Sequence, residues 1–217
     1  KYQSPDSKSG LFFFRNLLFK YQIINICDMK YLYIIIFLGF QIGCSDSKKF
    51  DTFSLTSFPI EDISIRAIEV IDENTMWFAG SNGKVGYTRD GGQSFQLHTI
   101  AYDTLNPEFR AIAKTDDAIF VLSVASPALL YKSSDEGKSW KIVYKDNNPE
   151  IFYNSMSISE SGLGVAVGDP IDNCLSVLLT QDFGNSWGKL SCDIIPISVN
   201  GEAGFAASNS NVQIIGD

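Results

Sequence analysis

The sequence of 217 residues predicts an all-β fold built of repeated four-stranded units. An octapeptide of the form Ser/Thr-x-Asp-x-Gly-x-Ser-Trp/Phe occurs three times, at residues 88–95, 133–140 and 180–187. Its aspartates lie 45 and 47 residues apart, which is typical of one propeller blade per copy. From Phe53 onward, short apolar runs alternate with turn residues, and no amphipathic helical pattern of ten or more residues appears. We therefore predict a β-propeller of antiparallel blades.

The strand pattern predicts three complete blades and the beginning of a fourth. The predicted strands are residues 64–71, 76–80, 84–88 and 95–100 in blade one, residues 110–114, 118–124, 129–132 and 140–144 in blade two, and residues 154–159, 164–168, 174–180 and 187–191 in blade three. A fourth blade is expected to begin near Ile197 and residues 205–208. Residues 53–217 are thus predicted to form about 3.5 blades of a propeller whose C-terminal blades are missing.

Each octapeptide has the composition of a tight hairpin turn. Its Asp can accept hydrogen bonds from backbone N–H groups two residues on, and the Gly tolerates a positive φ angle. The closing Trp or Phe is expected to fill the gap between neighbouring blades. The residues with these structural roles are Asp90, Gly92, Phe95, Asp135, Gly137, Trp140, Asp182, Gly184 and Trp187. We expect neither catalysis nor calcium binding from the aspartates, because calcium needs more oxygen ligands than the motif offers.

The octapeptides resemble the Asp-box, or BNR repeat, of sialidases and of many non-enzymatic β-propellers. A wider resemblance is to the photosystem II stability/assembly factor-like propellers, which include bacterial lipoproteins. It rests on residues 65–68, 109–112, 168–170 and 201–208, and it covers residues 50–217. The resemblance implies a non-catalytic binding or assembly module that takes a protein or glycan ligand on its channel face.

Residues 29–44 have the features of a lipoprotein signal peptide. Met29 and a lysine precede an apolar run at residues 31–40 that is too short to span a bilayer. The run ends in Gln-Ile-Gly-Cys, which resembles a lipoprotein cleavage site except for Gln41, where an aliphatic residue is usual. We expect a lipid on Cys44, a tether at residues 45–52, and an upstream segment at residues 1–28 that the mature protein lacks. The alternatives are an ordinary cysteine after a conventional signal, and a membrane hairpin over residues 11–40.

Composition limits the classes of partner and cofactor. The chain has 25 acidic and 17 basic residues, and five of the basic but only two of the acidic ones precede residue 45. This acidity argues against nucleic acid and against an electrostatic hold on anionic lipid, so membrane attachment is expected to come from the lipid anchor, at the outer membrane of a bacterial envelope. His98 is the only histidine, which excludes a histidine-based metal cluster within this sequence. No metal or other cofactor is expected.

Three positions spaced by 44 residues align near the start of the innermost strand of each blade: Arg66, Arg110 and Asn154. Two guanidinium groups from adjacent blades could clamp a carboxylate or phosphate at the channel mouth. The alternative is that each arginine pairs with an acid such as Asp72 or Glu108 and braces its blade. Tyr153 beside Asn154 is a further candidate binding residue, although buried packing is the commoner role of such aromatics.

A sialidase-like glycoside hydrolase is the alternative function, with its catalytic residues mostly in missing blades. Such enzymes need an arginine cluster for the substrate carboxylate, a Tyr nucleophile assisted by a Glu, and an Asp acid/base. Beyond Cys44 the arginines are Arg66, Arg89 and Arg110, and Arg89 lies inside an Asp-box on the outer turn. This arrangement favours a binding module over an enzyme.

Cys174 and Cys192 are predicted to form a disulfide. They flank the third Asp-box at nine residues on either side of Phe183, which would set them opposite one another on paired strands. An envelope location would supply the oxidising conditions. Two free buried thiols are the alternative, because a shift of one residue in register would point the side chains to opposite faces.

Overall fold

The computed structural model describes residues 55–205 and 209–216. The chain divides into the units Lys1–Leu55 and Thr56–Asp217, and the strands described below belong to the second unit. The signal peptide, Cys44 and the tether are among the predictions that lie outside the described residues, as do residues 206–208 of the predicted fourth blade. Within the described residues, no helix has the length and apolar character needed to cross a membrane.

Three four-stranded antiparallel sheets confirm the predicted partial propeller. Each sheet is a meander in chain order, β1 to β4, β5 to β8 and β9 to β12. The strands are β1 Ile65–Val70, β2 Met76–Gly80, β3 Lys84–Thr88, β4 Gln96–Thr99, β5 Phe109–Lys114, β6 Ile119–Ser123, β7 Ala128–Ser133, β8 Lys141–Asp146, β9 Tyr153–Ile158, β10 Gly164–Ile171, β11 Cys174–Thr180 and β12 Gly188–Lys189. We call the three sheets blades one, two and three.

The strand limits differ from the prediction mainly at the third and fourth blades. The outer strand β12 has two residues where residues 187–191 were expected, and a short 3₁₀ helix at Cys192–Ile194 follows it. In the described parts of the predicted fourth blade, residues 195–205 and 209–216, no strand forms. The closing aromatic residue of each Asp-box precedes its outer strand by one position and is not part of it.

Blade two is buried on both faces because it lies between two other blades. Val121 on β6 belongs to the apolar cluster shared with blade one, whereas its neighbours Phe120 and Leu122 belong to the cluster shared with blade three. This follows from the alternation of side chains along a strand. In blade one, by contrast, apolar side chains of β1 remain accessible to solvent: Ile68 is 50% exposed and Val70 is 67% exposed.

Each innermost strand carries a one-residue bulge near its start. In β1, Arg66 is the extra residue between two positions that face consecutive residues of β2. Arg110 is the extra residue of β5, and Asn154 is the extra residue of β9. A bulge re-aims the side chain of the inserted residue, so the three positions aligned from the sequence share an unusual backbone environment.

Candidate functional site

The three Asp-box turns at the rim share one hydrogen-bond pattern. In the second turn, the Ser133 hydroxyl donates to Oδ1 of Asp135 at 2.8 Å and accepts the N–H of Gly137 at 2.8 Å. The carboxylate of Asp135 also accepts the N–H of Ser139 at 2.9 Å and its hydroxyl at 2.6 Å. The other two turns repeat these bonds. The aspartate thus bonds the N–H four residues on, not two residues on as the sequence led us to expect.

The hydrogen bonds that stabilise these carboxylates also change their titration. They lower the pKa of Asp90, Asp135 and Asp182 from an ordinary value of 3.8 to about 2. The largest cause in each turn is the hydroxyl of the serine that follows, and the second is its backbone N–H. A carboxylate that accepts several hydrogen bonds is held ionised, and an ionised acceptor in a closed turn has no proton to donate to a substrate.

Each Asp-box glycine rests on an aromatic ring that comes from outside its own blade. A Cβ built on Gly184 would lie 2.3 Å from the Phe120 ring of blade two, and one on Gly137 would lie 3.0 Å from the Trp77 ring of blade one. All three glycines have positive φ angles, between 68° and 88°. In blade one, Gly92 meets the ring of Phe58, which precedes the first strand. Phe58 therefore occupies the place that an aromatic residue of a preceding blade takes at the other two turns.

The closing aromatics of the second and third Asp-boxes pack between blades, as expected. Trp187 is buried in the cluster between blades two and three, with its ring centroid 6.5 Å from that of Phe120. Trp140 packs against the cluster between blades one and two. Phe95 instead contacts Phe78 of its own blade and Phe58, each at 5.8 Å between ring centroids.

The two bulge arginines have different surroundings. Arg110 is half-buried, and its guanidinium carbon lies 5.9 Å from the centroid of the Phe152 ring. Arg66 is exposed, and it makes no ion pair with any residue that the structure describes. The acids proposed as braces accept backbone N–H groups: Asp72 from Asn74 and Thr75, and Glu108 from Asn82. For Arg66, the brace interpretation is therefore not supported.

Asn154 and Tyr153 differ from the sequence-based expectation of ligand-facing residues. Tyr153 is fully buried between blades two and three, and Asn154 is 1% exposed. The Asn154 amide donates to Asp169 at 3.1 Å, and Gly204 N–H donates to the same carboxylate oxygen at 2.9 Å. These contacts join Asp169 to Gly204, which belong to two of the stretches on which the family resemblance rests. Both side chains are structural because packing leaves them no free surface.

A cavity of about 510 Å³ lies against the three innermost strands, and we call it the inner-strand cavity. It is lined by Arg66, Ile68, Glu69, Ala113, Lys114, Met156, Ser157, Ile158, Asn209, Ser210, Val212 and Gln213. Each of β1, β5 and β9 contributes, and residues 209–213 form the remaining wall. The sequence alignment of blades pointed to Arg66 in this cavity but missed Glu69 and Lys114.

Charge in the inner-strand cavity is mixed. Burial raises the pKa of Glu69 above its usual range, and the ammonium group of Lys114 acts in the opposite direction. Lys114 also donates from Nζ to the carbonyl oxygen of Thr115 at 2.8 Å. Arg66 forms no salt bridge with any of the described residues, so its guanidinium can donate to a carboxylate or carbonyl oxygen of a ligand.

The segment at residues 209–214, which we call the strap, runs beside β9. Ser155 and Ser157 accept the N–H groups of Val212 and Ile214 at 3.2 Å and 3.1 Å. The Asn209 carboxamide bonds two strands at once, because its Nδ2 donates to the carbonyl oxygen of Ile112 on β5 and its Oδ1 accepts the N–H of Met156 on β9 at 3.2 Å. The strap is therefore held by hydroxyl and amide side chains and not by a backbone ladder.

The structure contains a disulfide between Cys174 and Cys192, with their Cα atoms 5.6 Å apart. Its geometric basis differs from the one derived from the sequence, because β11 and β12 pair only through Leu178↔Lys189 and Leu179↔Gly188. Cys192 lies beyond the strand, in the 3₁₀ helix, and the chain turns there to bring its sulfur to Cys174. Cys174 also forms an isolated antiparallel bridge with Ile197.

The arginines that a sialidase-like site would need have three different environments. Arg66 lines the inner-strand cavity, and the guanidinium of Arg110 lies over the Phe152 ring. Arg89 is on the rim, where it pairs with Glu136 of the second Asp-box at 2.9 Å and lies 5.1 Å from the centroid of the Tyr87 ring. His98 lies on the outer strand β4 and stacks on Tyr87. In the described residues, no group of three or more His, Cys, Asp or Glu side chains could hold a metal ion.

Comparison with known proteins gives one family and several related structures. The sequence profile of the family described as "Photosynthesis system II assembly factor YCF48" matches residues 45–195. No curated protein sequence matches the chain. Among solved structures, a YCF48 bound to a D1 peptide is 22% identical, with a TM-score of 0.48. YCF48 from Cyanidioschyzon merolae is 19% identical, with a TM-score of 0.47, and an ancestral GH74 enzyme is 16% identical, with a TM-score of 0.46.

These structures resemble only part of the chain. The aligned region covers 58% of this chain and 40% of the peptide-bound YCF48, 60% and 41% for the Cyanidioschyzon merolae protein, and 58% and 18% for the GH74 enzyme. The chain thus spans about two fifths of the length of the two YCF48 structures it matches.

Proposed function

Because this chain belongs to the family of the photosystem II assembly factor YCF48, we propose that it is a non-catalytic propeller module that binds a segment of another polypeptide in its inner-strand cavity. Membership of an assembly-factor family supports a binding or assembly role and favours a polypeptide partner over a glycan. The single observation that carries the proposal is the exposed guanidinium of Arg66, which forms no salt bridge among the described residues, in a cavity that all three innermost strands line.

The chemistry of the cavity supports a peptide ligand of mixed character. Arg66 offers donors to a carboxylate or to backbone carbonyl oxygens, and Ile68, which is 50% exposed, offers apolar contact beside it. Glu69 and Lys114 are half-buried, and the ammonium group of Lys114 partly offsets the rise that burial causes in the pKa of Glu69. The lining also includes both polar side chains, such as Ser157 and Gln213, and apolar ones, such as Met156, so the cavity suits a segment that carries both kinds of group.

Site-specific photo-crosslinking tests this proposal in cells that make the full-length protein. A photo-reactive amino acid at Ile68 should give a crosslinked polypeptide, whereas one at Phe183, a similarly exposed position on the rim, should not. Adding Arg66→Ala should remove most of the crosslink at Ile68, and the matched Arg89→Ala should leave it, because Arg89 is on the rim. Crosslinking at Phe183 alone, or indifference to Arg66→Ala, contradicts the proposal.

Turnover of fluorogenic glycosides is the observation that would replace this proposal with the hydrolase alternative. The full-length protein should show none above background. Robust turnover that Arg66→Ala or Arg110→Ala abolishes would mean that arginines serve a catalytic site and not a peptide site.

We further propose that the module is a lipoprotein attached to the envelope membrane through Cys44. The support is the sequence before that residue, a short apolar run that ends in Gly-Cys, followed by a polar tether. Mass spectrometry of the native N-terminus should find Cys44 as the first residue, carrying lipid, and Cys44→Ala should move the protein out of the membrane fraction. An unmodified peptide that runs from Met29 through Cys44 is incompatible with this anchor.

A further inference from the structure

The inner edges of the innermost strands β5 and β9 pair with no other strand among the described residues. Each of the two strands pairs on its outer side only, β5 with β6 and β9 with β10. At one point a carbonyl of β5, that of Ile112, and an N–H of β9, that of Met156, both bond the same carboxamide, Asn209 of the strap. An unpaired edge is a ready template for an added extended segment.

The strap lies against this template, with a turn and a bend at residues 209–211, after which residues 212–216 continue along β9 without forming a strand. Residues 211, 212 and 214 of the strap donate hydrogen bonds to side-chain oxygens of residues 154, 155 and 157, respectively. Each donor lies 57 positions after its acceptor in the sequence. Burial alternates along the strap, since Val212 and Ile214 are half-buried whereas Gln213 and Ile215 are exposed. The hydroxyl of Ser155 also donates to the carbonyl oxygen of Asn209 at 2.9 Å.

The anchor point selects a carboxamide over a carboxylate. One end of the group must donate to Ile112, and the other must accept from Met156. An ionised carboxylate has no donor, so an aspartate at this position would place an oxygen against the Ile112 carbonyl oxygen. A subsite that bonds both the donor and the acceptor of a carboxamide binds a ligand that lacks either one more weakly, because a buried backbone group is then left without a hydrogen-bond partner.

We propose that the inner edges of β5 and β9 form a carboxamide-reading peptide subsite, which the strap fills within the chain and which an asparagine-bearing extended segment of a partner polypeptide takes in its place. This inference rests on the proposed function, because it names the chemistry of the partner segment. Release of the strap opens one wall of the inner-strand cavity at the same time, since residues 209–213 line it. The strap and the partner therefore compete.

Fluorescence anisotropy with a labelled octapeptide tests the subsite on the full chain. The peptide repeats residues 209–216, Asn-Ser-Asn-Val-Gln-Ile-Ile-Gly, and is compared with versions that begin with Asp or Ala. The protein variants are the wild type, Asn209→Ala to weaken the strap, and the matched Asn200→Ala at an exposed position outside the strap. Melting curves identify any variant that fails to fold, and the comparison of peptides does not depend on altering the protein.

We expect the Asn peptide to bind Asn209→Ala about tenfold more tightly than it binds the wild type or Asn200→Ala, because a filled site lowers the apparent affinity. The Asp and Ala peptides should bind Asn209→Ala about tenfold more weakly than the Asn peptide. Ser155→Ala added to Asn209→Ala should weaken the Asn peptide again.

Equal binding of the Asn and Asp peptides, an equal gain for Asn200→Ala and Asn209→Ala, or no binding to any variant overturns the subsite. These outcomes do not contradict the proposed function, which is tested separately by the crosslink at Ile68 and its loss in Arg66→Ala. Neither of those measurements involves the strap. If that crosslink also fails, both proposals fail.

Discussion

In the three Asp-box turns at the rim, the same hydrogen bonds recur with nearly the same lengths, whereas the three bulge positions on the innermost strands carry Arg66, Arg110 and Asn154 in three different environments. Both regions repeat at about the length of one blade. At the rim, both the side chains and their hydrogen bonds recur, because each Asp-box must close the same kind of hairpin turn. The inner strands repeat only a backbone bulge, which leaves the side chain free to differ.

The difference between the two regions separates structural from functional residues within one chain. A residue that recurs in all three copies, such as the Asp-box aspartate, has a role that every blade needs. A residue whose surroundings differ from those of its equivalents, such as Arg66, which lines the inner-strand cavity whereas Arg110 lies over Phe152, has a role that only one place in the propeller needs. The predictions below test whether stability resides at the rim and binding on the inner strands.

The largest effect on stability is expected from Gly184→Ala. A Cβ there would lie 2.3 Å from the Phe120 ring at a positive φ angle, so backbone strain and overpacking should together cost at least about 2 kcal/mol. Gly188→Ala is the matched control, because nothing lies within 4 Å of its Cβ. Urea unfolding of the two variants measures the difference. If the urea midpoints of Gly184→Ala and Gly188→Ala shift by the same amount, the contact of the Asp-box glycine with the neighbouring blade does not contribute to stability.

A smaller effect is expected from Asp135→Ala, which removes the acceptor for the Ser139 N–H and hydroxyl. Arg89→Ala breaks a surface ion pair with Glu136 and should cost less than about 0.5 kcal/mol. Thermal melting should therefore show a clearly larger fall for Asp135→Ala than for Arg89→Ala. Equal falls would show that the carboxylate does not hold the turn together.

Acid should weaken the rim through the same carboxylates. The folded-state pKa of Asp90, Asp135 and Asp182 is about 2, below the ordinary value of 3.8. Groups with a depressed folded-state pKa contribute stability above their unfolded pKa, and that contribution is lost as the pH falls from about 4 to about 2. Asp135→Asn should flatten this part of the profile of urea midpoint against pH. In the wild type, high salt should not remove this loss of stability, because hydrogen bonds cause the pKa shift. If high salt removes the pH dependence, ion pairs cause it instead.

The smallest effect on stability is expected from Arg66→Ala, and it should accompany the largest effect on binding. The exposed guanidinium makes no ion pair among the described residues, so its removal should change the free energy of unfolding by less than about 0.5 kcal/mol. Arg110→Ala is the internal comparison, because it removes the contact with the Phe152 ring and should destabilise more. If Arg66→Ala destabilises as much as Arg110→Ala, Arg66 is a structural residue like those at the rim.

The fold was predictable from sequence because its signals are local. A turn motif that closes within eight residues and strands of alternating or buried character determine three meanders, and each strand pairs with its neighbour in the chain. The first and last residues of strands β2, β3 and β11 agree with the prediction. The outer strand of blade three was predicted too long, because the chain leaves the sheet after Lys189 to reach the 3₁₀ helix.

The site was less predictable because it depends on contacts between distant parts of the chain. Spacing brought out Arg66, yet the same spacing also selected Asn154, whose burial comes from Asp169 and Asn211. The bond between Asn209 and Ile112 joins residues 97 positions apart, and no periodicity signals it. Glu69 and Lys114 are on neighbouring blades, so only the packing of one blade on the next reveals their proximity.

The bond between Cys174 and Cys192 closes a covalent ring around the whole third Asp-box. Lys189 is the only basic residue inside that ring. If trypsin cuts after Lys189 and nowhere else, the two fragments therefore stay joined, and the protein gains only the mass of a water molecule until a reductant is added. The ring also keeps the residues before and after the cut at short range, so a nicked third blade can close again as an intramolecular event.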